Sequence, residues 1–485
     1  MLWMAPFNFL ISSLLTFPLL LTVAEIIPLV GRSPISATHF KRQQLEGGFG
    51  NGSVAVFNKG NLQYSCNITL AGREYNVIVD TGSNDLWVKG APPVTKALGV
   101  SATLAYSIGT VSGSINTANL AFDTFQVPNQ AYLLASKSTD LDFPEGNGML
   151  GIGPSNSSDI LSKLNGTGTD GLPLLDRIFR QNMNTPNFIT LLLSRSQDDK
   201  ISRVPLLDNH PGLLTIGEPV PQYEEILNMP KLKVPIDPLG QQHWQTVLDS
   251  NGIIGPDGKP IQTNTGVPEP RDGKPDQLQV VFDSGFSLPQ ISGPILDAIY
   301  GKVPGAKFIE SEGLYSIPCE YELNITFLFS GKEYPIAPLD LSINATLDDG
   351  TQGCFSHFQK APDDIRKFGA IDAILGMAFL RNTYVLINFG DFVGGSDRSV
   401  ADPYIQLLST VNKTAAHLDF VNARLGGKDT TGSQAPLTGS TGNGNGNGNN
   451  NGSVPGKNNG TRRNSGLVGG WWFAICVILG IVAGI

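Results

Sequence analysis

The chain is poor in the residues that carry metal and nucleophile chemistry in most hydrolases. Its 485 residues include 5 His and 4 Cys. The His are scattered and never form His-Glu-x-x-His, and no Gly-x-Ser-x-Gly turn occurs. A zinc peptidase of that type and a nucleophile-elbow serine hydrolase are thereby excluded. Positive charge is also scarce. The net charge is −9, with no basic stripe to meet phosphates, so nucleic acid is excluded as a partner. An acidic surface suits work at low pH, where carboxylates are partly protonated and repel one another less. The last apolar run, residues 471–485, has 15 residues, short of the roughly 20 that a spanning helix needs.

What is present suits a folded core. Hydrophobic residues make up 40% of the chain and the mean hydropathy is −0.02. The length favours two domains. Between residues 52 and 420, short β-branched and aromatic runs alternate with Gly, Pro, Asn and Asp turns. Examples are Tyr75-Asn76-Val77-Ile78-Val79, Phe188-Ile189-Thr190-Leu191-Leu192-Leu193 and Ile325-Thr326-Phe327-Leu328-Phe329. Helical stretches are few: residues 173–181 and 293–300, the latter with Pro294 in its first turn. The expected fold is mostly β, in two lobes with a cleft between them. Residues 218–235 cross from one lobe to the other, and residues 249–275 form a surface loop or a pair of hairpins.

One motif occurs twice. Val79-Asp80-Thr81-Gly82-Ser83 reappears as Phe282-Asp283-Ser284-Gly285-Phe286, each after an apolar run. A single Asp-(Thr/Ser)-Gly is expected by composition roughly 0.2 times in a chain this long and is ordinary turn chemistry. Two copies, each closing a strand and one lobe length apart, point to paired carboxylates. Two carboxylates held close cannot both ionise, so one keeps its proton. The ionised partner draws a proton from water and the protonated one polarises a carbonyl. Asp80 and Asp283 are the candidate catalytic pair. Thr81 and Ser284 supply hydroxyls that can lock the turns together. Gly82 and Gly285 let the backbone bend close to the Asp, and Ser83 can donate to Asp80. This chemistry calls for no metal and no cofactor.

From residue 63 to 388 the chain resembles the pepsin-like aspartic proteases. Asp80-Thr81-Gly82-Ser83-Asn84-Asp85-Leu86-Trp87-Val88 is similar to their first catalytic turn and following strand. Tyr106-Ser107-Ile108-Gly109-Thr110-Val111-Ser112-Gly113 is similar to the flap hairpin, which implies that Tyr106, Gly109 and Trp87 bind substrate. Gly148-Met149-Leu150-Gly151-Ile152-Gly153 and Ala373-Ile374-Leu375-Gly376 resemble the apolar-apolar-Gly segments behind the two Asp. His243-Trp244-Gln245 and Leu213-Leu214-Thr215-Ile216-Gly217 resemble the strands flanking the inter-lobe region. The resemblance also implies a disulfide between Cys319 and Cys354, leaving Cys66 a buried free thiol. Four departures stand out. Phe286 occupies a place where the family has Thr or Ser, so Asp283 lacks a hydroxyl donor. Met377 and Asn147 stand where Asp is common. Only 18 residues separate Trp87 from Tyr106, so the loop before the flap is trimmed.

The termini point outward from the cell. Residues 1–24 read as a signal peptide, and Lys41-Arg42 as a dibasic site ending a short pro-segment, residues 25–42. The lobes are then 43–220 and 221–425. Asn51, Asn67, Asn156, Asn165, Asn324, Asn344, Asn412, Asn451 and Asn459 each open an Asn-x-Ser/Thr sequon. Residues 426–470 are a Gly/Asn/Ser/Thr-rich linker whose composition does not support a core. Asn459, or alternatively Asn464, precedes a polar spacer and the removable hydrophobic segment 471–485, the pattern of a glycosylphosphatidylinositol (GPI) anchor signal. A tail-anchoring helix is the alternative. These features, with the resemblance, imply a GPI-anchored endopeptidase of the fungal yapsin-like type. It would be a monomer on the outer face of the plasma membrane or in the cell wall, acting on peptides or proteins. The competing expectation is a catalytically weak or inactive pepsin-fold binding protein of the cell surface.

Overall fold

A computed structural model of the chain describes residues 25–32, as backbone, and residues 63–438 except 108, 124, 142, 145, 165–170, 182–185, 194, 196–211, 238–240, 270, 347–351 and 391–401. The signal peptide, the Lys41-Arg42 site, the sequons at Asn51, Asn165 and Asn451, and the anchor sites Asn459 and Asn464 lie outside the described residues.

The two motif strands open the same small arrangement in each half. Arg73–Asp80 runs parallel to Asn147–Gly151, with Asp80 opposite Gly151. Leu86–Lys89 pairs antiparallel on the other side of Asn147–Gly151. In the second half, Gln279–Phe282 runs parallel to Ala373–Leu375, with Phe282 opposite Leu375. Gln290–Ile291 pairs antiparallel beyond it. Strands buried on both faces need continuous apolar runs rather than alternation. Val77, Val79, Val280, Val281 and Phe282 supply them and are all buried.

The halves meet in a shared sheet. Phe188–Leu193, buried along its whole length, pairs with Gly212–Ile216 on one side and with Thr383–Asn388 of the second half on the other. Tyr404–Ser409 continues beyond Thr383–Asn388, and Leu232–Lys233, within the expected crossing segment, pairs with it. Glu25–Arg32, read above as pro-segment, is a strand here. It bridges Gly212–Ile216 and Gln63–Leu70 and so joins the shared sheet to the first lobe. Helices are few, as expected: Leu174–Gln181 and Gly293–Tyr300 are among them. The segment 249–275 is largely irregular, with Ile253–Ile254 laid against Thr326–Phe327.

Residues 426–438, read above as the start of the linker, pack on the second lobe. Helix Lys413–Leu425 is capped by Asn412, whose side chain accepts from Ala415 N–H, and it ends at Gly426 in the left-handed region (φ 64°). Beyond it, Gln434 exchanges two hydrogen bonds with the Glu322 backbone, both 3.1 Å. Tyr321 OH donates to Ala435 O at 3.0 Å, and Thr438 N–H donates to Lys302 O at 2.8 Å. Cys319 and Cys354 are disulfide-bonded beneath this patch, and Arg424 Nη1 reaches Cys354 Sγ at 3.2 Å. Cys66 is buried and free, its thiol pushed up to about 12 by burial.

His417 fastens the helix. Its Nδ1 lies 3.0 Å from Glu322 and its Nε2 3.3 Å from Asp429. Both ring nitrogens face acceptors, so the doubly protonated ring fits. Hydrogen bonding to Glu322 is the largest cause that raises its pKa, with the Glu322 charge and Asp429 adding to it. A His raised in the folded state stabilises fully below its unfolded pKa, roughly 6.5, and loses that contribution as pH rises through the folded value. Amide exchange in residues 413–438, corrected for intrinsic rates, is therefore expected to speed up between pH of about 6 and about 8. The His417→Gln variant is expected to exchange fast across the range. An equal pH response in both proteins would show that His417 is not the fastener.

Candidate active site

The two motif turns are tied to each other by their hydroxyls. Thr81 Oγ1 donates to Phe282 O at 2.8 Å and accepts from Ser284 N–H at 2.8 Å. Ser284 Oγ donates to Val79 O at 2.8 Å and accepts from Thr81 N–H at 3.0 Å. Each hydroxyl thus satisfies one donor and one acceptor of the opposite backbone, and both side chains are buried. Nothing else would pair these groups, since water does not reach them.

The glycines bring the carboxylates face to face. A Cβ on Gly82 would stand 2.1 Å from Asp283 Oδ2, and one on Gly285 would stand 2.4 Å from Asp80 Oδ1. Each turn therefore lies against the other turn's carboxylate, closer than any side chain permits. Gly82 N–H donates to Asp80 Oδ1 at 2.9 Å, and Gly285 N–H to Asp283 Oδ1 at 2.7 Å. Ser83 Oγ donates to Asp80 Oδ2 at 2.5 Å. Burial, then the neighbouring charge of Asp80, holds the Asp283 carboxyl well above the usual carboxylate range, against the pull of the Gly285 N–H.

The apolar-apolar-Gly segments back these turns. A Cβ on Gly151 would lie 2.5 Å from Asp85 N, and one on Gly376 would lie 2.3 Å from Phe286 O. Phe286 stands in the place that Ser83 has in the first turn. Its ring, half-buried, packs with Phe368 against Val281, Ile365, Ile371 and Ile374. Met377 N–H donates to Phe286 O at 3.0 Å, while the Met377 side chain is buried in the main core. Asn147 opens its strand, its N–H donating to Pro144 O at 3.2 Å.

The flap is the hairpin of Lys96–Ala105 and Thr110–Phe122. Tyr106 N–H donates to Gly109 O at 3.0 Å. Gly109 has φ 72°, and a Cβ there would lie 1.9 Å from Thr139 O, so only glycine fits. Tyr106 packs with Trp87, Phe143 and Leu104. Burial, then the charges of Asp80 and Asp85, pushes its hydroxyl up, and the Trp87 indole alongside opposes them. The Trp87 N–H faces this hydroxyl without reaching hydrogen-bond geometry.

Tyr106, Trp87, Asp80 and Asp283 thus belong to one site, a cleft of about 500 Å³ between the lobes. Ile78, Leu104, Leu141, Phe143 and Met149 form its first-lobe wall, and Val281, Phe286, Phe368, Ile371 and Ile374 its second. The sequence singles out Phe286 as a site residue; Ile78, Met149 and Ile374 stand in strand and motif segments without a role in a wall, and the other wall residues carry no signal beyond being apolar. Asp85 stands within the segment similar to the first catalytic turn but is given no role of its own. This carboxylate lines the cleft and accepts from Ser158 Oγ at 2.5 Å and Asp159 N–H at 2.8 Å. It thereby caps the short helix Asp159–Lys163, and burial raises its pKa to about 6. The sequons Asn67, Asn156, Asn324, Asn344 and Asn412 are all exposed; Asn156 adjoins Ser157, which lines the cleft.

Comparison with known proteins agrees with this architecture. The model of the family described as eukaryotic aspartyl protease matches residues 63–205 and 264–393. Major aspartyl peptidase 1 of Cryptococcus neoformans var. grubii is 22% identical over 389 residues, 73% of this chain and 73% of that protein. Aspergillopepsin-1 of Aspergillus flavus is 24% identical over 361 residues, 70% of this chain and 78% of that one. The crystal structure of the aspartic proteinase from Irpex lacteus superposes with a TM-score of 0.54 at 16% identity, covering 81% of this chain and 99% of that one. With both copies of the Asp motif inside the matched regions, the chain belongs to the eukaryotic aspartyl protease family and is an aspartic-type endopeptidase.

Proposed function

We propose that the chain is a secreted, GPI-anchored endopeptidase in which Asp80 and Asp283 activate water against a peptide carbonyl. The observation that carries the dyad is the reciprocal fit of Gly82 and Gly285 against the opposite carboxylates. Asp283, its pKa raised, holds the proton and donates it to the carbonyl oxygen. Asp80, with Ser83 and Gly82 donating to its oxygens, acts as base and takes a proton from the attacking water. In the collapse of the tetrahedral diol, Asp80 returns its proton to the leaving nitrogen, and Asp283 recovers one from a diol hydroxyl. The substrate lies extended across the cleft, under the flap, and pairs with its backbone.

Exposed sequons and a disulfide support secretion, because both are made in an oxidising, glycosylating compartment. Phe286 favours one competing reading, a weak or inactive binding protein, since it offers Asp283 no hydroxyl.

Asp80→Asn and Asp283→Asn are each expected to abolish pepstatin-sensitive peptide cleavage while the melting temperature stays near that of wild type. Cleavage unchanged in both would refute the dyad. Wild type that cleaves nothing at any pH would favour the binding protein. Since Asp283 must hold its proton, activity is expected to fall as pH rises through its raised pKa. Gly285→Ala drives a methyl group onto Asp80, and displacement of about 1 Å at a catalytic group is worth about 100-fold in rate. At least that loss in kcat is expected, and activity within a few-fold of wild type would mean the turns are not held in this register. Phosphatidylinositol-specific phospholipase is expected to release the protein from membranes. Recovery of residues 471–485 in the mature protein would refute the anchor.

A further inference from the structure

Phe286 follows Gly285 as Ser83 follows Gly82, yet its side chain lines the cleft instead of bonding a carboxylate. Its backbone is held at both ends. Its N–H donates to Asp283 O at 3.3 Å, and its carbonyl accepts from Met377 N–H at 3.0 Å. Phe368, beside it, is held as firmly. His243 Nε2 bonds the Phe368 carbonyl at 2.9 Å, Ala370 N–H donates to Asp237 Oδ2 at 2.9 Å, and Arg366 pairs with the buried Asp372 at 3.3 Å. Lys367 pairs with Asp364 at 2.9 Å, and its ammonium lies over the Phe368 ring, 4.9 Å from the centroid, which leaves Phe286 as the uncharged ring at this edge. Phe286, with Val281, Ile371 and Ile374 beside it, therefore presents an apolar surface on a braced backbone, next to a reacting carboxylate.

Such a surface discriminates. An apolar substrate side chain lying on it loses only water. A hydroxyl or charge pressed against it is desolvated without a partner, which is costly. Because the backbone is braced, the wall does not open to supply one. Resting on the endopeptidase reading, we infer that Phe286 is a specificity-determining residue. With Val281, Ile371 and Ile374 it forms a fixed apolar wall beside Asp283 that, at one substrate position, selects an apolar side chain and rejects hydroxylated ones. The departure from a hydroxyl at this place is thus a change of substrate preference, and not only the loss of a bond to Asp283.

The test is cleavage of a diverse peptide library by wild type, Phe286→Thr and Phe286→Leu at one acidic pH, with kcat/KM for matched peptides and a melting temperature for each variant. Phe286→Thr supplies both room and a hydroxyl. It is expected to cut the preference for apolar over Ser or Thr side chains at one position by about tenfold or more, the scale on which pocket contacts discriminate. Preferences at the other positions are expected to stay unchanged. Phe286→Leu keeps the wall apolar but not flat, so it is expected to retain the apolar preference and shift it from aromatic towards branched side chains at that position. Should Phe286→Thr melt below the assay temperature, the Leu variant decides alone. Library profiles that match wild type at every position, or rates that fall evenly at all positions, overturn the inference while leaving the endopeptidase intact. A wild type that cleaves no peptide overturns both readings together.

Discussion

The site depends on the crossed hydrogen bonds of Thr81 and Ser284. Two carboxylates in a buried cleft repel when both are charged, and each turn alone would relax away from the other. The hydroxyls oppose this. Each hydroxyl donates to a carbonyl and accepts from an N–H of the opposite lobe, at 2.8–3.0 Å, so four backbone groups are paired at once. A buried group left unpaired costs about 1–3 kcal/mol, so breaking one turn away would expose several such costs together. Only a side chain with both a donor and an acceptor on one short arm can do this, and Thr and Ser are the small residues that have it.

That lock in turn demands glycine. With the turns drawn together, Gly82 and Gly285 press on the opposite carboxylates, and Gly151 and Gly376 press on the chain that follows each turn. The strands impose the rest. Arg73–Asp80 and Gln279–Phe282 each lie parallel to a short apolar strand, which fixes where the motif leaves the sheet. The shared sheet, through Phe188–Leu193 and Thr383–Asn388, sets one lobe against the other. Trp244 Nε1 donates to Ile152 O at 2.9 Å, a buried bond between residues 92 positions apart that ties the second half to the first.

How much of this was legible follows from where the chemistry is local. The motif could be read because the lock needs particular residue types at fixed spacing. Phe188–Leu193, Ile325–Phe329 and Gly293–Tyr300 could be read because run length, β-branching and a first-turn Pro act within a few residues. The pro-segment reading of residues 25–42 rests on the signal and on Lys41-Arg42; that Glu25–Arg32 forms a strand is not legible, because Pro28 and Gly31 disfavour one in isolation and only its two partners make it one. Residues 426–438 look like the polar linker they lead into, and their docking depends on Tyr321, Glu322 and Lys302, over a hundred positions away. Asp85 stands in the first-turn segment, but its capping role is not legible for the same reason, its partner Ser158 lying 73 residues on. The cleft walls are apolar residues among many, and nothing in the sequence separates a wall from a core.

The asymmetry between the turns bears on the division of labour within the dyad. Asp80 receives a donor on each oxygen, from Gly82 N–H and Ser83 Oγ. Such bonds favour the charged form. Asp283 has the equivalent N–H, and the Phe286 backbone N–H also favours its charged form, but no hydroxyl stands where Ser83 stands in the first turn. Desolvation is the largest influence on Asp283, and it acts in the direction that keeps the proton there. A symmetric pair would leave the shared proton with no preferred owner. Ser in the first turn and Phe in the second make the pair asymmetric, and burial holds the Asp283 carboxyl well above the usual range. Under the proposed function, the ring inferred to form a substrate wall also stands where a hydroxyl would favour a charged Asp283, so both proposals turn on one side chain.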